Sequence, residues 1–323
     1  MNLEVVAPFL SPLAAWPVAR FLTPKLPPHW ASWLLTASCA IFAVASTIAL
    51  LATALAGFVL IPTVAALIDL SPSDLRGADP VSVPESVLCA GALLVALAAV
   101  ARAVLRYRRR SRRLHDELDG HSREGGLIVV PDAEPLAFAV PGRGGRIVVS
   151  RGMLAGLAPA ERSALLAHEN AHLRLRHHVF LAVVTVSSVL NPLVRPLGEQ
   201  VRFSLERWAD EKAARRVGDR RIVATAVAKA ALATRAHTPF ALAATGGPVP
   251  RRVAALLDGT TRPILGPLVL LGMVSVLGIA GWAAGTAYDA ASELHAGIET
   301  AHVNHGGPHG EHCGRQHRRC GQV

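Results

Sequence analysis

The chain has 323 residues, of which 51% are hydrophobic and only 17% charged, with a mean hydropathy of +0.37. That balance excludes an ordinary globular protein and points to a membrane protein. The net charge of +10 comes almost entirely from arginine, because Lys25, Lys212 and Lys229 are the only lysines. The arginines cluster beside apolar segments without interleaved aromatics, so the bilayer accounts for them and direct nucleic-acid binding is not expected.

Residues 1–30 read as an N-terminal interfacial segment. Pro8, Pro12, Pro17, Pro24, Pro27 and Pro28 are spaced to interrupt any long helix, with Trp16 and Trp30 at headgroup level. Glu4 and the prolines occupy the place of a signal-peptide apolar run, and no such peptide is expected. Residues 31–68 carry no charge and read as one long transmembrane span, tilted or broken at Gly57 and Pro62. An acidic extracytoplasmic loop follows at 69–85, then a second span at 86–105.

The arginines at 102, 106, 108, 109, 110, 112 and 113 then fix orientation, since basic flanks stay cytoplasmic. Residues 106–262 are therefore expected in the cytoplasm. There Leu127–Val130, Leu136–Val140 and Arg146–Ser150 read as short strands, and helices follow from Pro159 onward. Val179–Val194 reads as a buried or membrane-grazing helix, with further helices at 196–217 and 219–236. An uncharged last span at 263–288 leaves an extracytoplasmic tail, 289–323. The tail holds His302, His305, His309, His312, Cys313, His317 and Cys320. Metal capture, a Cys313–Cys320 disulfide and incidental histidines in a disordered tail are all compatible with it. The fold class expected is a mainly α membrane protein, with transmembrane helices plus a small α+β zincin-like catalytic domain containing a short β-sheet.

The chemistry centres on His168-Glu169-Asn170-Ala171-His172. Two histidines four apart on a helix share a face and can reach one cation. Zn2+ suits two neutral imidazoles plus a carboxylate with one position left for water, and Glu169 can take that water's proton as general base. A third ligand is needed. Glu206 and Asp210, four apart on a later helix, can supply a metal ligand and an acceptor for a ligand histidine's other nitrogen. A solvated helical face explains that pair equally well. His177 and His178 read as a polar helix end.

The run AFAVPGRGGRIVVSRGMLAGLAPAERSALLAHENAHLRLRHH, followed by ERWADEKAA, resembles the BlaR/MecR-type membrane metallopeptidases, with the HtpX and CAAX-protease group close behind. The resemblance covers about 100–260. It implies His168, His172 and Glu206 as metal ligands, Glu169 as base and Asp210 as the carboxylate behind a ligand histidine. It also implies that Arg146, Ile147, Val148 and Val149 form the edge strand against which a substrate peptide lies. BlaR/MecR receptors carry a large extracellular sensor domain after the last span, and only about 35 residues follow here, so sensing through such a domain is not expected. The expected protein is a multi-pass bacterial cell-membrane zinc endopeptidase. Its site faces the cytoplasm, its partners are a protein or peptide substrate and the lipid bilayer, and its target is a protein such as a transcriptional repressor. Two other readings stay open: HtpX-like quality control, and a non-catalytic metal-binding sensor with a closed four-ligand site. The sequence leaves the oligomeric state open.

Overall fold

The computed structural model describes residues 3–59, 82–119, 126–142, 144–236, 248–259, 274–282, 284–285 and 292. Residues 60–81, most of 263–288 and all but one residue of the His/Cys-rich tail, Cys313 and Cys320 included, lie outside the described residues. The described part is mostly helical, with one small sheet.

Helix α1 spans Leu3–Leu22 and contains Pro8, Pro12 and Pro17. The expectation that these prolines interrupt a helix is therefore wrong. The reason is visible one helix away. Pro12 cannot donate to the Pro8 carbonyl, and that carbonyl instead accepts from Ser11 Oγ at 3.0 Å and from Ser46 Oγ at 3.2 Å. Neighbouring hydroxyls thus satisfy the backbone group that proline strands. Ser46 lies on α2 (Pro28–Val59), so the same bond ties α1 to α2.

Helix α2 and helix α3 (Val83–Asp119) are both long and apolar enough to cross a membrane. At 32 residues α2 is about 48 Å long, more than a 30 Å hydrocarbon core needs. It runs through Gly57 without a break, which corrects the reading of Gly57 as a break. A Cβ at Gly57 would lie 1.9 Å from Ser86 Oγ on α3, so the glycine permits close approach of the two helices. Helix α3 continues for 37 residues and carries the arginine run straight out of its apolar half on exposed faces.

The sheet contains β1 (Leu127–Val130), β2 (Ala137–Val140) and β3 (Arg146–Ser150), in the order β1-β3-β2. β3 pairs parallel with β1 and antiparallel with β2. It is therefore the central strand, with ladder bonds on both sides. The expectation that Arg146, Ile147, Val148 and Val149 form a substrate-binding edge is corrected: the strand has no free edge to offer, and the Arg146 Nη2 instead bonds the Asp119 carboxylate at the end of α3, at 2.7 Å. The open edge near the helices is β2.

Short α4 (Arg151–Ala155) leads to α5 (Pro159–Arg174). Pro159 opens α5, and the Glu161 carboxylate accepts from the Ala158 N–H at 2.8 Å, satisfying one of the orphan donors of the first turn. Glu161 also takes Lys229 Nζ at 2.7 Å. These contacts, Lys229 first, hold its carboxyl below the usual range. A group with a depressed folded pKa stabilises above its unfolded value and loses that contribution as pH falls. Glu161→Gln is thus expected to lower stability slightly at neutral pH, by no more than about 1 kcal/mol because Lys229 is half-exposed. The gap from the parent should close as pH falls below 4.5; melting curves at neutral and acidic pH check this.

A left-handed turn at Arg176 (φ 52°) bends the chain by 61° between α5 and α6 (His177–Leu190). After a 3-10 turn at Pro192–Val194 come α7 (Arg195–Val217), α8 (Arg220–Ala236) and α9 (Pro248–Leu257). Gly218, at φ 83°, ends α7, and Asp219 Oδ1 caps α8 by accepting from the Arg221 N–H at 2.7 Å. Helix α7 joins two cores. Val201 and Leu205 pack with Ala15, Phe42, Phe180 and Val184 of α1, α2 and α6. Ala213 and Ala214 pack with Ala164, Val223 and Leu256 of α5, α8 and α9. The first core is built from large side chains such as Phe42, Phe180 and Leu205 and the second mostly from alanines, and together they hold α7 along its length.

Candidate metal centre

His168 and His172 lie one turn apart on α5, and the α7 residues Glu206 and Asp210 lie one turn apart on the facing helix. His168, His172 and Glu206 each bring one ligand-type atom to a common point, all within 4.8 Å of one another. The two Nε2 atoms are 3.0 Å apart. Glu206 Oε2 is 3.4 Å from His168 Nε2, and Glu206 Oε1 is 3.6 Å from His172 Nε2. Asp210, which is buried, places Oδ1 2.9 Å from His168 Nδ1. With Nδ1 turned to that carboxylate, His168 presents Nε2 to the cluster.

His177 is placed by the Arg176 turn. It is fully buried, and its Nδ1 lies 2.8 Å from His172 Nδ1. Read as a polar helix end in the sequence, it is instead a packed partner of His172. With His172 donating from Nδ1, its Nε2 lone pair also faces the cluster. His178 is exposed.

His168 Nε2, His172 Nε2 and a Glu206 oxygen thus converge as one set of ligand-type atoms. Two zinc-bound nitrogens in tetrahedral geometry lie about 3.3 Å apart, close to the separation seen here. The electrostatics agree. Burial alone would lower the pKa of His168, but Asp210 and Glu206 outweigh it and push it up to about 10. Burial and the neighbouring His168 pull His172 down to about 4. Burial disfavours ionised Glu206, yet His168 and Arg252 hold its carboxyl well below the ordinary range. The carboxylates of Asp210 and Glu206 thus favour positive charge on and around His168.

Residues 105–191 match Peptidase family M48. The chemistry of that family is metal-dependent proteolysis. The matched stretch holds His168, Glu169 and His172 but ends before Glu206 and Asp210, so those two join the site by geometry alone. The match does not separate the BlaR/MecR type from the HtpX and CAAX-protease group. No curated protein matches the chain, and no solved structure matches it.

Glu169 of the M48-like segment lines a cavity of about 230 Å³ together with His168, Glu206, Ala137 and Arg252. Its carboxyl is raised chiefly by burial. The Ala139 N–H of β2 approaches the same carboxylate. Ser150 N–H donates to the Leu136 carbonyl at 2.8 Å, so even-numbered β2 residues bond β3 and the backbone groups of Ala137 and Ala139 point to the open edge.

Arg252, on α9, escaped the sequence reading. It donates to both Asp210 oxygens, Nε to Oδ2 at 2.8 Å and Nη2 to Oδ1 at 2.7 Å, and its Nη1 reaches Glu206 Oε2 at 2.9 Å. One guanidinium thus orients both α7 carboxylates. Forty-two residues separate it from Asp210, and nothing in Arg251-Arg252 marks which arginine turns inward. Arg252→Ala leaves the buried Asp210 without its bidentate partner. The expected cost is about 3 kcal/mol or more, with zinc affinity down roughly 10- to 100-fold as Glu206 and His168 lose their orientation. Arg252→Lys should recover only part of this, since an ammonium cannot form the fork. Melting temperature and competitive chelator titration check both.

Proposed function

We propose that the protein is a membrane zinc endopeptidase that hydrolyses peptide bonds of a protein substrate. The observation that carries the reading is the convergence of His168 Nε2, His172 Nε2 and a Glu206 oxygen beside a cavity that Glu169 lines. Those three residues would hold zinc. Bound zinc supplies Lewis acidity to a peptide carbonyl and lowers the pKa of a water toward roughly 7.

The chain's own residues do the rest. Glu169 takes the proton of the attacking water and passes it to the leaving amine. The open edge of β2, at Ala137 and the Ala139 carbonyl, holds the substrate backbone extended by strand addition. The partly apolar cavity, with Met153, Leu165, Val223 and Val227 in its wall, accepts a side chain next to the scissile bond. Asp210 and Arg252 keep His168 and Glu206 in place. A closed structural site would need a fourth protein donor, and among the described residues only His168, His172 and Glu206 group as metal-binding side chains.

Helices α2 and α3 serve as spans, and the arginine run at the exit of α3 puts the catalytic domain on the cytoplasmic side. A site so close to the spans suits a substrate at the membrane surface, a repressor or a misfolded membrane protein. The test compares new protein N-termini in cells carrying the parent chain and Glu169→Gln. Cleavages present only with the parent support the reading, and identical sets of termini contradict it.

A further inference from the structure

A second cavity, of about 700 Å³, lies on the opposite side of α7 from the metal centre. The loop at 23–27, the start of α2, and one face each of α7 and α9 enclose it. Lys25, Arg207, Lys212, Arg215 and Arg251 line it, against two carboxylates, Glu211 and Asp258. Glu211 is already held by Arg220, Nη1 to Oε2 at 3.0 Å. Among the described residues Lys212, Arg215 and Arg251 have no carboxylate partner. Arg251 lies 4.3 Å above the Phe203 ring, and Arg207 donates to the Thr23 carbonyl at 2.9 Å. Burial, with the Arg251 charge acting the same way, lowers the Arg207 pKa. The cavity is a cationic bowl with an aromatic floor.

Its level relative to the bilayer follows from α2. That helix is a candidate span, and its N-terminal end shapes the cavity rim. Around the same end, Phe21, Trp30 and Trp33 are each more than half exposed, the arrangement of an aromatic belt at headgroup depth. Basic pockets on spanning helices at that depth recognise anionic lipid headgroups.

We propose that this cavity binds the phosphate of an anionic phospholipid headgroup. The proposal rests on the reading of α2 as a span. The same stretches of chain serve both sites: Glu206 faces the metal centre and Arg207 the bowl, while on α9 Arg252 and Arg251 divide in the same way. Trp208, in the bowl's wall, packs against His177 with the rings tilted by 40° at 5.3 Å, and His177 bonds His172. A bound headgroup therefore braces the helix that carries Glu206.

The test is native mass spectrometry of the full-length chain released from nanodiscs of phosphatidylcholine mixed with phosphatidylglycerol of the same acyl chains. The parent should retain phosphatidylglycerol selectively. Lys212→Gln combined with Arg215→Gln should cut that selectivity by roughly 25-fold, two cations each worth about fivefold. Equal retention of the two lipids by the parent, or equal selectivity in parent and variant, overturns the proposal. So does displacement of the lipid by millimolar inorganic phosphate, which would make the bowl a site for free anions. Zinc per chain, counted in the same spectra, reports on the peptidase reading and shows that the variant is folded. Loss of zinc with lipid selectivity intact would count against that reading alone.

Discussion

Glu206→Ala is expected to weaken zinc binding by at least about 100-fold, since losing a whole ligand exceeds the 10- to 100-fold that a supporting residue costs. Hydrolysis should fall with it and return only partly with excess zinc. The loss should also reach beyond the metal. Arg252 would keep Asp210 but lose Glu206, so the guanidinium would have one carboxylate instead of two. The fold should survive, because the Glu206 side chain is 36% exposed and its neighbours Leu205 and Ala209 supply the buried packing of α7. Equilibrium dialysis against a zinc chelator measures the affinity. An unchanged value would mean that another acid completes the site.

Glu169→Gln separates proton transfer from metal binding. Glutamine keeps the size and the approach of the Ala139 N–H but cannot accept a proton from water. The expected result is a rate loss of about 10²- to 10⁴-fold, the usual worth of a positioned general base. Zinc content and melting temperature should match the parent, since no ligand is touched. Single-turnover cleavage of a denatured test protein, with zinc measured on the same sample, checks both halves. A variant that cleaves at the parent rate would remove Glu169 from the mechanism.

Much of the site was legible because its parts are local. His168 and His172 declare themselves by a spacing of four, and Glu206 and Asp210 do the same one helix later. What the spacing cannot show is which residues return from elsewhere. Arg252 reaches Asp210 across a turn and two helices, and only the packing of α9 on α7 selects it over Arg251. His177 reaches His172 because Arg176 adopts a left-handed conformation, which no residue preference announces. Two helices long and apolar enough to cross a membrane were legible from hydropathy, since 31–68 and 86–105 overlap α2 and α3. The proline helix α1 was not, because its stranded carbonyl is satisfied by Ser46, some 38 residues away. The sheet order misled for a similar reason. Three consecutive strands joined by short loops do not say which is central, and β3, the last in sequence, inserted between the other two.

The most direct measurement is X-ray absorption at the zinc edge of the purified parent chain. The account predicts one zinc per chain bound by nitrogen and oxygen only, two imidazoles and a carboxylate at about 2.0–2.2 Å, with a further light-atom ligand from solvent. Sulfur at about 2.3 Å, or a third imidazole closing the shell, would contradict it.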